Sequence, residues 1–177
     1  MSVRPARARW RSTRIAVGVM ILTTLLGACV KSPEEVPAMD ISRAELWRTI
    51  NQNLHAVDPD WVVTPWPDTL VRRYGCATNP ESHMPMGPPW RYEVSQWKSD
   101  PSPEYLARVR EGLDALARRG FEVGPPPKVD DPRDLAATDS RGFSVSVRFT
   151  QWTGEPLRVD IKSWSPCVRH PGEVDDW

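Results

Sequence analysis

The sequence predicts an α+β domain: a mostly antiparallel sheet of about four to five strands, with two helices packed on one face. Three observations predict it. Residues 42–57 and 102–119 carry apolar side chains at helical spacing behind N-cap signals. Residues 143–150 and 157–162 alternate strictly between apolar and polar. Proline- and glycine-rich breaks separate these segments and keep them short.

The chain starts with a targeting segment. Residues 1–14 hold five arginines and no acid, and Ile15–Leu26 is apolar apart from Gly18, Thr23 and Thr24. As a helix that run is roughly 18 Å long, against a hydrocarbon core of ~30 Å. A basic flank, a short apolar core and the small residues of Leu26-Gly27-Ala28-Cys29 mark a lipoprotein signal over residues 1–28. Cys29 is then the lipidation site and the first residue of the mature chain. Two acyl chains hold a protein to a bilayer firmly, because each buried methylene contributes ~0.8 kcal/mol. The expected location is the extracytoplasmic side of the cell membrane, and residues 29–41 read as a tether ahead of a single domain spanning 42–177.

In that domain Ser42 caps the first helix, with Glu45 completing a capping box and Ile41 stapled to Leu46. Leu46, Trp47, Ile50 and Leu54 form its buried stripe, and the helix should end near Val57, before Asp58-Pro59. Trp61–Thr64 and Thr69–Arg73 read as short strands, and Asn79–Pro89 as a loop. Trp90–Trp97 alternates, with Trp90, Tyr92 and Val94 on one face and Arg91, Glu93 and Ser95 on the other. The second helix is capped by Ser102, opened by Pro103 and closed by Gly120, with Leu106, Val109, Leu113, Leu116 and Ala117 inward. Phe121–Val123 starts a strand that three prolines end, and Asp130–Arg141 reads as a polar loop. Phe143, Val145, Val147 and Phe149 then point inward, as do Leu157, Val159 and Ile161. A hairpin with Phe149 opposite Val159 or Ile161 needs an odd loop or a bulge around Gly154.

After residue 28 there are 149 residues, 18 basic and 23 acidic, a net charge of −5. That balance argues against a nucleic-acid or polyanion partner, which needs a basic surface. With Cys29 acylated, Cys76 and Cys167 remain, and two cysteines in an exported domain read as a disulfide.

The lipobox, the cysteine in Tyr74-Gly75-Cys76, the helix beginning Pro103-Glu104-Tyr105, the alternating strand pair and Trp164-Ser165-Pro166-Cys167 follow one another in an order that resembles the LppA-like lipoproteins of mycobacteria and other actinobacteria. The resemblance implies an anchor, a disulfide and a fold, and transfers no catalytic residue.

Eight tryptophans follow residue 28. Trp97, Trp152 and Trp164 fall opposite the aliphatic strand face or at strand ends. There they either form a binding surface for a protein partner, small molecule or glycan, or lie covered by loops. His83-Met84-Pro85-Met86 offers soft donors suited to Cu(I), and Asp130, Asp131, Asp134 and Asp139 are oxygen donors without EF-hand spacing; an exposed loop and ordinary turn acids are the simpler readings. No serine-hydrolase elbow, zinc-protease motif or glycine-rich phosphate loop is present. The expectation is therefore a non-enzymatic accessory or interaction domain at the cell envelope, with no cofactor or metal. The alternative is a lipoprotein that holds a small molecule or glycan on its tryptophans.

Overall fold

The computed structural model describes residues 36–63 and 72–172. The signal segment 1–28, Cys29 and the tether as far as residue 35 lie outside the described residues. Of the remaining tether, Met39–Asp40 forms the first strand, β1.

Both helices begin and end where local chemistry directs. Helix α1 (Arg43–Val57) is capped by the Ser42 hydroxyl, which accepts from the Glu45 amide at 3.2 Å. Ile41, Leu46, Trp47, Ile50, Leu54 and Val57 are all buried. The chain leaves the helix at Asp58, whose amide still donates to the Leu54 carbonyl at 2.8 Å. Helix α2 (Pro103–Arg118) has Ser102 as its cap and proline in its first turn. At its end Gly120 takes φ +91°, which lets the Phe121 amide return to the Leu116 carbonyl at 3.1 Å. The expected stripe is rotated: Ala117 is exposed, and Tyr105 and Gly112 are buried instead. The cause is contact with α1. A Cβ on Gly112 would collide with the Ala56 carbonyl and lie 2.6 Å from Val57 Cα, so the helices meet backbone to backbone there.

The other strands are β2 (Arg72–Thr78), β3 (Pro85–Ser99), β4 (Glu122–Gly124), β5 (Leu135–Thr138), β6 (Ser144–Thr150), β7 (Arg158–Trp164) and β8 (Val168–Arg169). They form one eight-stranded sheet in the order β1-β8-β3-β7-β6-β5-β4, with β2 also paired to β3. All pairings are antiparallel except β1 with β8. The α+β class and the two helices stand; the count of four to five strands does not. The additional strands are short. β1 and β8 have two residues each, and β5 has four, Leu135-Ala136-Ala137-Thr138, inside the expected polar loop 130–141. Segments of that length carry no readable alternation.

Two other expectations change. Pro85–Pro89 is the start of β3 rather than loop; its prolines interrupt both the alternation and the ladder, and Gly87–Pro89 have no partner in the register with β2. Trp61–Val63 is not a strand, and Thr64 and residues 69–71 lie outside the described residues. The Trp61 indole instead donates to Asn51 Oδ1 at 3.0 Å, folding this segment back along α1.

Of the two anticipated hairpin registers the structure takes the first: Phe149 faces Val159 and Val147 faces Ile161, across a loop of residues 151–157 with Gly154 at φ +85°. Tyr92, Val94, Ala137, Val145, Val147, Val159 and Ile161 make one sheet face apolar, and the helices pack on it. Cys76 and Cys167 are joined, with Cα atoms 6.1 Å apart, tying β2 to the chain between β7 and β8. No helix among the described residues is long and apolar enough to cross a membrane.

Candidate binding surface

Strand periodicity builds the second face of the sheet. With Tyr92 and Val94 turned to the helices, Arg91, Glu93, Ser95 and Trp97 of β3 project the other way. Register places Arg158, Asp160, Lys162 and Trp164 of β7 and Ser144, Ser146 and Arg148 of β6 beside them. Among the described residues both helices contact the opposite face, so this one is open.

Its aromatic side chains are held by cations. Trp97 is 60% exposed, and the Arg158 guanidinium lies 4.7 Å from its ring centre while donating to Asp160 at 2.6 Å. Trp164 is half-buried. Tyr74 of β2 sits 5.4 Å from it, ring centre to ring centre, and the Arg91 guanidinium and Lys162 ammonium lie 4.8 and 5.8 Å from its ring. Arg91 also donates to the Ser165 carbonyl at 3.1 Å. Burial lowers the pKa of this guanidinium, and the neighbouring Glu93 charge acts in the opposite direction.

Glu93 departs from the expected wet position. It is only 1% exposed, neither carboxylate oxygen receives a hydrogen bond, and Lys162 Nζ lies 3.5 Å from Oε1. Beside this pair, Ser146, Arg148, Asp160, Lys162 and Trp164 line an open depression of about 440 Å³. Arg148 is drawn toward Asp130 and Asp134 at 3.3 and 3.5 Å.

The three tryptophans singled out in the sequence do not form one cluster. Trp97, opposite Asp160, lies at the end of the sheet from which the 151–157 loop projects, and Trp152, 65% exposed, stands in that loop. Trp164 is opposite Glu93, four residues back along β3, or about 13 Å. Tyr74 has no sequence signal linking it to Trp164, because the pairing of β2 with β3 creates their contact. Arg91 and Lys162 were legible only as outward positions.

The remaining candidates are engaged elsewhere or dispersed. His83, Met84 and Met86 are exposed around the β2–β3 turn, with His83 at φ +56°. Asp131 accepts from Arg133 at 2.7 and 2.8 Å, and these bonds lower its carboxyl pKa to about 2. Asp139 caps the turn into β6, accepting from the Phe143 amide at 2.9 Å, and pairs with Arg141. His170 is buried with Nδ1 2.7 Å from the Ile41 carbonyl and Nε2 3.2 Å from the Tyr92 hydroxyl. A carbonyl only accepts, so Nδ1 donates to Ile41. The ring thus locks the chain after β1 onto β3. Between α2 and β5–β6, Leu106, Val109, Leu113, Leu135, Val147 and Phe149 line, together with Arg110 and Arg133, a slot of about 90 Å³. That is well below the roughly 300–1,000 Å³ of ordinary small-molecule pockets.

No protein-family model matches the chain, and no match was found among the curated proteins. Among solved structures it is similar to a DUF4853 family protein from Actinomyces odontolyticus, at 16% identity and a TM-score of 0.45, over 80% of this chain and 77% of that one.

Proposed function

We propose that this chain is a lipoprotein anchored through Cys29 on the extracytoplasmic side of the cell membrane, and that its domain is a non-enzymatic interaction module of the LppA-like kind. The observation supporting the interaction role is the open sheet face: Trp164 and Tyr74 interleaved with Arg91 and Lys162, with neither helix over them among the described residues. Aromatic and arginine side chains together are the composition of protein-binding hot spots. An open face that spans several strands suits a macromolecular partner better than a small one. A second reading, a glycan held on the face, is favoured by the depression beside Trp164, where an indole, a lysine, an aspartate and a serine converge.

The anchor is tested by Cys29→Ala. The variant should stay unacylated and either uncleaved or released; a variant as membrane-bound and as fully processed as wild type would refute the assignment. The binding role is tested by photo-crosslinking from positions 95 and 164 in native membranes. Crosslinks from position 95 to one protein that vanish with Arg91→Ala support the first reading. Saturable perturbation of Trp164 fluorescence by envelope glycans, without such crosslinks, supports the second.

A further inference from the structure

The domain has a polarity that the open face alone does not explain. Among the described tryptophans, only Trp97 and Trp152 are exposed; Trp47, Trp61, Trp90 and Trp164 are buried or half-buried. Both exposed indoles stand at the same end of the sheet, where β3 finishes, β7 starts and the 151–157 loop projects. Val129, 49% exposed, joins them: Asp130 next to it reaches Arg148 near the end of β6, and Asp134 accepts from the Phe149 amide at 2.9 Å.

The chain enters the domain facing that end. Strand β1 is parallel to β8, and β8 is antiparallel to β3. The N-terminal side of β1 is therefore directed toward the end of the sheet where β3 finishes. Only six residues separate Cys29 from Val36, the first described position, so the span between them is at most about 25 Å.

We propose that this end of the sheet is a bilayer-contact surface, with Trp97 and Trp152 seated at the membrane–water interface and Val129 beside them. This rests on the anchored-lipoprotein reading, because a lipid at Cys29 keeps the domain within reach of the bilayer. Indoles suit that position: the ring enters the acyl boundary and the N–H stays in the hydrated headgroup layer. Cationic attraction contributes little: Arg158 is paired with Asp160 and Lys98 with Asp60, while the exposed Asp100 after β3 and Glu155 in the 151–157 loop add negative charge at this end. Contact should accordingly persist on neutral lipid and at high salt, unlike that of a polybasic patch. The lipid acts as the tether and the tryptophans set the orientation, leaving the open sheet face directed sideways along the membrane.

The test uses the mature chain in phosphatidylcholine–phosphatidylglycerol vesicles containing brominated lipid, with acylation of the same sample read by intact mass. Quenching of tryptophan emission is expected, and the Trp97→Phe/Trp152→Phe double variant, which keeps the apolar contact, should lose most of it. Replacing both by glutamate should abolish contact at those positions while far-UV circular dichroism stays unchanged. An acylated chain without quenching, or with equal quenching in the phenylalanine variant, overturns the surface and leaves the anchor intact. An unacylated chain refutes the anchor; the surface then stands if quenching through Trp97 and Trp152 persists and falls if it does not. Crosslinking of position 152 to a single protein, with no lipid quenching, also overturns the proposal.

Discussion

Glu93 lies on the face that alternation makes polar, yet its carboxylate is almost fully buried with Lys162 as its near cation. A buried charge without hydrogen bonds is costly, and removing its partner leaves it uncompensated. Lys162→Met should therefore destabilise the domain by about 1–3 kcal/mol. Glu93→Gln removes the buried charge and leaves a lysine that is already partly exposed, so it should cost less. Urea denaturation of both variants checks the order, and a larger loss for the glutamine variant would contradict this account. The same contrast separates two tryptophans. Trp97→Ala should change stability by no more than about 0.5 kcal/mol, as for other surface positions. Trp164→Ala removes the ring against which Tyr74 and Arg91 pack and should cost about 1–2 kcal/mol. Equal losses in chemical denaturation would show that exposure does not govern the pair.

Among the elements, the helices depend on one close approach. Alanine is the better helix former, by ~1 kcal/mol relative to glycine. At Gly112 the new methyl would meet the Ala56 carbonyl and the Val57 backbone, neither of which is a flexible side-chain tip. Gly112→Ala should thus destabilise, by about 1–3 kcal/mol, through separation of α1 and α2. A higher melting temperature for this variant would mean the helices can part freely. Both helices were legible because each carries its own start signal, its own stop and an apolar stripe long enough to show a period. Strands β6 and β7 were legible for a similar reason: seven residues of alternation identify a strand without reference to its partner.

At the scale of the whole molecule, the Cys76–Cys167 bridge links positions 91 residues apart and fastens β2 beside the return to β8. Cys76→Ser should lower the unfolding free energy by ~2–5 kcal/mol. Calorimetry gives the magnitude, and thiol labelling of the unfolded, unreduced wild-type chain should find neither cysteine free. The binding surface also belongs to this scale. Tyr74, Arg91 and Trp164 come from three strands, and only the order β2-β3-β7 makes them neighbours.

The sequence by itself determined the α+β class, both helices with their caps, the central hairpin with its matched inward faces, and the cysteine pair. All are set by local backbone chemistry, by periodicity, or by the scarcity of alternatives. Tertiary structure decided the short strands β1, β5 and β8, the prolines at the start of β3, the burial of Glu93 and the grouping of Trp97 with Trp152. A two- to four-residue strand has no period to read; it exists because a neighbouring strand offers hydrogen bonds to its backbone. Whether an outward side chain is wet, stacked or buried depends in turn on which strand lies beside it.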